Sequence, residues 1–166
     1  YNAMSGLDHR APGTAAFALN SDRVYTELNP DGTHVAPALL KLTLRAKRPD
    51  RIVLVSDAVV SAGTRPGVYR YMNMAVRSTK EGVYYREDGT LVGSSILLNE
   101  GLRRYIRQTG APLHAALAAA AQNPATMLGL GRRTGSLKTG KDADIAVFSR
   151  NFSKTVAVFR RGERVV

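Results

Sequence analysis

Asp57 closes the apolar run Arg51-Ile52-Val53-Leu54-Val55-Ser56. In an α/β protein with parallel strands, the loops at the C-terminal strand ends are free to carry reactive groups. A carboxylate there can take a proton from a nucleophilic water and deliver it to a leaving group. The same carboxylate could instead cap the turn or helix that follows. A second candidate, His34, ends the stretch Asp31-Gly32-Thr33-His34, which also follows a strand-like run. An imidazole there can hydrogen-bond a polarised carbonyl or a sugar hydroxyl, or cap a helix start. Arg10, in Arg10-Ala11-Pro12-Gly13, offers the paired donors that suit a phosphate. It reads equally as a surface residue before a turn. Gly89-Thr90-Leu91-Val92-Gly93-Ser94-Ser95 reads as a glycine-rich loop running into a helix. Its free amides could hold ligand oxygens, or Ser could simply cap the helix.

Other chemistries lack their residues. The chain has no cysteine, which removes disulfides and thiolate metal sites. His9, His34 and His114 show no paired metal-ligand spacing, and His114 reads as structural within an Ala-rich helix. There is no nucleophile elbow, no Walker loop and no dinucleotide fingerprint. The formal net charge of +11 raises a nucleic-acid reading. The basic residues are spread along the whole chain, however, without a long run or an aromatic recognition strand. An anionic small substrate or a solvated basic surface fits that spread better. No stretch approaches the roughly 20 apolar residues of a membrane span, and no signal peptide is apparent. A cytoplasmic protein is the expectation.

The elements that must position these residues alternate. A small-residue helix is expected over 13–19, a strand over 23–28 and a turn at 29–32. A helix over 35–47 follows, then a strand over 51–56 whose continuous apolar character suits burial on both faces. Helix, strand, helix, strand points to α/β with parallel strands. Residues 68–92 read as a β-hairpin excursion. Helices follow over 96–107 and 112–122, with Asn123-Pro124 interrupting the second and a helical turn over 125–130. The tail reads as short strands over 135–140 and 143–148, then a hairpin of 155–159 and 164–166 around Arg161-Gly162-Glu163.

Taken together and in order, several motifs resemble the N-acetylglucosamine-6-phosphate deacetylases of the amidohydrolase superfamily. They are Tyr1-Asn2-Ala3-Met4, Arg10-Ala11-Pro12-Gly13, Asp31-Gly32-Thr33-His34, Leu54-Val55-Ser56-Asp57-Ala58 and Gly89-Thr90-Leu91-Val92-Gly93-Ser94. The tail Gly135 to Phe148 resembles the small β domain that closes many amidohydrolase chains. The resemblance implies an α/β fold, the C-terminal half of an amidohydrolase (β/α)8 barrel plus strands of a small β-sandwich domain. Residues 1–131 would be the partial barrel and 132–166 the β strands. It implies a divalent metal, Zn or similar, that activates water against the acetamide carbonyl. Asp57 would be the general base that then protonates the amine. His34 would orient substrate and polarise the carbonyl, and Asn2 and Ala3 would contact the phosphosugar. Arg10 would reach the phosphate from the neighbouring subunit of a homodimer, and Leu91, Val92 and Gly93 would line the substrate site. The family's metal ligands, a Glu and two His, would lie upstream of Asn2, so this chain is expected to hold none of them and to be inactive alone. Thr33 and Val92 stand at motif positions where related sequences vary. Another amidohydrolase acting on a different amide, and a basic nucleic-acid-binding module, are the competing readings.

Overall fold

The computed structural model describes residues 1–2 and 4–166. The chain begins with helix α1 (Gly13–Asn20), strand β1 (Thr26–Leu28), helix α2 (Pro37–Ala46), a 3-10 turn (Pro49–Arg51) and strand β2 (Ile52–Leu54). β1 and β2 pair in parallel, Thr26 with Ile52 and Leu28 with Leu54. Both strands are shorter than the sequence suggests. The expected strand start at residue 51 is instead the end of the 3-10 turn. All three residues of β2 are buried, as a strand covered on both faces requires. Leu28, Leu40, Ile52, Leu54, Leu102 and Tyr105 form the centre of the core.

The excursion after β2 is a four-stranded antiparallel meander, not a single hairpin. It comprises β3 (Gly67–Tyr71), β4 (Met74–Ser78), β5 (Val83–Tyr85) and β6 (Leu91–Gly93), in that order. The β3–β4 turn puts Met72 and Asn73 at positive φ, 46° and 64°. A two-residue hairpin turn that follows the strand twist needs such angles at both positions, and usually announces itself with glycine. Met72 hides it. Val76 and Val83 are fully buried under this sheet, and Ser61 Oγ donates to Ser78 Oγ at 2.8 Å.

Helix α3 (Leu98–Thr109) follows. It buries Leu102 and Tyr105 and ends at Gly110, whose φ of 74° provides the left-handed cap. The next segment corrects the sequence reading. Asn123-Pro124 does not interrupt the helix. α4 (Leu113–Leu117), a π turn (Ala118–Gln122) and α5 (Asn123–Met127) run on without a break. The wider π turn accommodates a proline that has no N–H to donate back into the helix. Asn123 is buried, and its Nδ2 donates to the carbonyls of Pro49 (2.8 Å) and Ile52 (2.7 Å). The residue that looks like a breaker is thus a clamp between α5 and β2.

A three-stranded antiparallel sheet ends the chain: β7 (Ile145–Phe148), β8 (Thr155–Arg160) and β9 (Glu163–Arg164). Val165 N–H still donates to Val158 O at 2.8 Å, so pairing outlasts β9. The strand expected over 135–140 is absent. Lys141 gathers that segment instead, its Nζ donating to Ser136 Oγ (2.7 Å), Thr134 O (3.3 Å) and Gly131 O. A loop folded around one ammonium has no extended edge to pair.

Candidate active site

Asp57 lies just beyond β2, as the apolar run suggests. It adopts a φ of 50°, an uncommon angle for a residue with a side chain. Two backbone bonds hold it there. Ser94 N–H donates to Asp57 O at 2.7 Å, and Val59 N–H donates to Ser94 O at 3.2 Å. Ala58 and Ser94 thereby form a parallel bridge. Gly93 permits this approach. A Cβ built on it would lie 2.8 Å from Asp57 O and 2.7 Å from Val59 Cγ1.

The glycine-rich segment therefore works differently from the expectation. Leu91, Val92 and Gly93 are strand β6, and the helix starts only at Leu98. The amide of Ser94 is used on Asp57 and so is not free for a ligand. It braces the loop that carries the carboxylate.

The structure brings His34 to Asp57, with Nε2 3.4 Å from Asp57 Oδ2. The other ring nitrogen, Nδ1, lies 2.5 Å from Asp31 Oδ2. Exposure grades along this chain of groups: the Asp57 side chain is 50% exposed, His34 7% and Asp31 1%. Asp31 Oδ1 accepts the backbone N–H groups of Thr33 and His34, each at 2.9 Å. Asp31 Oδ2 also accepts from Ser94 Oγ (3.0 Å) and Asn29 Nδ2 (3.3 Å). Burial pushes the Asp31 carboxyl up, but the N–H groups of His34 and Thr33 and the imidazole together hold it below the usual carboxylate range. Hydrogen bonds to an ionised form favour that form. Behind the site, Arg104 of α3 donates to the Asp31 carbonyl and pairs with Glu100 at 2.9 Å.

A cavity of about 630 Å³ opens on the other side of Asp57. Asn2, Asn29, Glu27, Tyr25 and Tyr1 also line it. Asn2 and Asp57 thus share one wall, while His34 stands behind Asp57. Arg10 is exposed, with its backbone N–H donating to Asp8 Oδ1 at 2.9 Å, and it is not among the residues lining the cavity. Ala3 lies outside the described residues. His114 lies in α4 and lines a separate, mostly apolar groove beside the terminal sheet. Among the described residues no group of three or more His, Cys, Asp or Glu is placed to hold a metal ion. No described helix is long and apolar enough to cross a membrane.

Asn29, Asp31 and Ser94 were not legible as site residues. Asn29-Pro30-Asp31-Gly32 reads as a turn, and the one available signal is a buried-side Asp three residues before a His. Ser94 is 63 positions from Asp31, beyond any local pattern.

This combination is an α/β scaffold with an acid and an imidazole at the C-terminal ends of parallel strands, braced by an inserted sheet. Residues 11–166 match the amidohydrolase family model. The chain is 34% identical over 160 residues to the N-acetylglucosamine-6-phosphate deacetylase of Bacillus subtilis, covering 96% of this chain and 40% of that protein. It is 37% identical over 145 residues to an N-acetylgalactosamine-6-phosphate deacetylase of Escherichia coli, covering 87% of this chain and 38% of that one. A Mycobacterium smegmatis N-acetyl-D-glucosamine-6-phosphate deacetylase variant, solved in complex with N-acetyl-D-glucosamine-6-phosphate, superposes with a TM-score of 0.90. It is 32% identical over all of this chain and 44% of that one. The chain belongs to the amidohydrolase family, and it spans about 40% of the length of these relatives. Strands β1 and β2 with their helices are accordingly part of an amidohydrolase barrel, and the chain's fold is the corresponding part of a deacetylase fold.

Proposed function

We propose that the whole protein carrying this chain hydrolyses the acetamide of an N-acetylated amino sugar 6-phosphate, N-acetylglucosamine 6-phosphate foremost, to the free amine and acetate. The observation that carries the reading is Asp57, exposed to the cavity on one side and 3.4 Å from His34 Nε2 on the other. A carboxylate so placed can take a proton from water as its oxygen attacks the carbonyl. It can return that proton to the nitrogen as the C–N bond breaks. Asn2 lines the same cavity and is suited to the sugar; Ala3 is assigned beside it on the motif. Arg10 is assigned to the phosphate, and its exposure suits a reach into the neighbouring site of a homodimer. Leu91, Val92 and Gly93 border the same loop. In the domain reading, residues 1–131 are barrel and 132–166 belong to the small β domain, in a cytoplasmic enzyme.

Amidohydrolase deacetylases are generally metal-dependent, and a divalent ion such as Zn would polarise the carbonyl and acidify a water. The described residues do not fit one: both ring nitrogens of His34 face carboxylates. On the motif order, the ligands of such an ion, a Glu and two His, would lie upstream of Asn2 in the whole protein.

The test is acetate release by the whole protein from N-acetylglucosamine 6-phosphate, the galactosamine epimer and the unphosphorylated sugar. Turnover of a 6-phosphate, with the unphosphorylated sugar much poorer, is expected. Asp57→Asn should lower kcat roughly 10²- to 10⁴-fold. No acetate from either phosphate, or near-normal turnover in that variant, refutes the reading.

A further inference from the structure

We propose that Asp31 is a positioning residue that fixes the tautomer of His34, with the proton on Nδ1 and the lone pair of Nε2 turned to Asp57. The catalytic consequence rests on the reading of Asp57 as proton carrier; the tautomer itself does not.

Asp31 stands behind the cavity and does not line it. Its surroundings are nevertheless one-sided in chemistry. Its two oxygens receive four settled hydrogen-bond donors and the imidazole, and no acceptor. Oδ1 takes the N–H groups of Thr33 and His34. Oδ2 takes Ser94 Oγ, Asn29 Nδ2 and the imidazole. The orientation of the Asn29 amide follows from its other bond, since its Oδ1 accepts the Asp31 N–H at 3.1 Å. Two partners therefore compete for Nδ1: the Asn29 amide at 3.1 Å and the carboxylate at 2.5 Å. The closer partner is an ionised acceptor, which makes the stronger bond. A bare Nδ1 at that distance would set two lone pairs against each other. The proton sits on Nδ1.

The neutral ring then presents a lone pair at Nε2 on the side of Asp57, 3.4 Å from a half-exposed carboxylate oxygen. The repulsion there is weaker than at the buried 2.5 Å contact and is relieved once Asp57 takes a proton. A proton taken by Asp57 from water can be shared with that nitrogen before it passes to the departing amine. No atom is lost or gained in the relay: the O–H bond of water breaks, the proton rests between Asp57 Oδ2 and His34 Nε2, and an N–H bond forms on the product. Arg104, bonded to the Asp31 carbonyl, and Ser94 and Asn29, bonded to its carboxylate, hold the positioning residue in place.

Asp31→Asn is a sharp probe because the backbone dictates how the new amide must turn. The two N–H groups on Oδ1 cannot become acceptors, so the amide oxygen must stay there. Its NH2 then occupies the Oδ2 place and faces Nδ1. The ring answers by moving its proton to Nε2, where it donates to Asp57 and no longer accepts. Ser94→Ala removes a donor from the same Oδ2 and leaves the tautomer unchanged.

Nitrogen-15 NMR of the full 166-residue chain, at a pH where the ring is neutral, reads the tautomer directly. Nδ1–H is expected for the wild type and for Ser94→Ala, and Nε2–H for Asp31→Asn. An Nε2–H ring in the wild type, or a folded Asp31→Asn variant that keeps Nδ1–H, overturns the proposal. If Asp31→Asn fails to fold, the wild-type and Ser94→Ala spectra still decide: Nε2–H in either overturns it, and Nδ1–H in both upholds it. In the whole protein, Asp31→Asn should lower kcat by roughly 10⁴-fold, the loss that a wrong histidine tautomer causes in the serine-protease triad, with KM little changed. A matching rise in KM would mean lost binding instead and count against it. Absence of deacetylation in the wild type would remove the functional reading and leave the tautomer result standing.

Discussion

Gly93→Ala should destabilise the chain and disturb Asp57 through a single methyl group. The new Cβ would lie 2.7 Å from Val59 Cγ1 and 2.8 Å from Asp57 O. Val59 can rotate away. A backbone oxygen cannot, so strand β6 and the Asp57 loop must part. Their separation strains the 2.7 Å bond from Ser94 N–H to Asp57 O and the Ala58–Ser94 bridge. Overpacking of this kind costs about 1–3 kcal/mol, and the bond contributes about 1 kcal/mol. The stiffer unfolded chain of an alanine variant returns about 0.4–1 kcal/mol. The net expectation is a loss of about 2 kcal/mol, or roughly 4–8 °C in Tm for a chain of this size. Gly89→Ala is the control. Gly89 has a φ of 73° and nothing within 4 Å of its would-be Cβ, so it reports left-handed strain alone, about 1–2 kcal/mol. Urea titration gives both stabilities, and turnover of the whole protein separates them further. Gly93→Ala should reduce kcat by about 10²-fold, as ångström-scale misplacement of a reacting group does, whereas Gly89→Ala should leave kcat within the scatter of the wild type. A Gly93→Ala variant with wild-type stability would show that β6 does not brace Asp57 as the contact implies.

Two further outcomes follow from buried charge. Lys47 is buried at the end of α2, and its Nζ donates to Ala18 O at 2.6 Å and to Ser21 O. Burial lowers its ammonium from the ordinary lysine range. Lys47→Met keeps the stem but orphans both carbonyls, so a loss of about 1–3 kcal/mol in urea unfolding is expected; no change would mean that water satisfies them. The Asp31 carboxyl titrates lower in the folded chain than its ordinary value. Its stabilisation is therefore complete above the unfolded value of about 4 and disappears as pH falls through the lower folded value. Stability measured from pH 6 down to 3 should fall more steeply in the wild type than in Asp31→Asn, and parallel curves would contradict the shift.

The legible parts of the fold were those with a local cause. The apolar run before Asp57 foretold a strand buried on both faces, and β2 is one. The alternation from α1 to β2 was readable where apolar residues mark the element: α2 buries Leu40 on its apolar side, and β2 is apolar and buried throughout. The helix expected over 96–107 is α3, which runs two residues further, to Thr109. The misreadings also have local causes. Met72 and Asn73 turn a hairpin without glycine, so a meander reads as one excursion. Pro124 signals a break, yet a π turn absorbs it and Asn123 finds strand carbonyls to bind. The 135–140 segment has strand-like residues, but Lys141 ties Ser136 to the turn before it, at Gly131 and Thr134.

For the site, the sequence by itself determined which groups are available: Asp57 at a strand end, His34 three residues after Asp31, and a glycine at 93. Motif order was enough to suggest the family. Only the tertiary structure decided what those groups do to one another. Whether His34 meets the cavity or stands behind Asp57 depends on how the Asp31 turn packs against the Asp57 loop. The proton on its ring answers to the Asp31 carboxylate, on one oxygen of which Ser94 and Asn29 converge. Hydrogen bonding is directional and short in range. A contact between residues 63 positions apart therefore leaves no trace in local spacing, although it helps to hold the carboxylate that faces the imidazole.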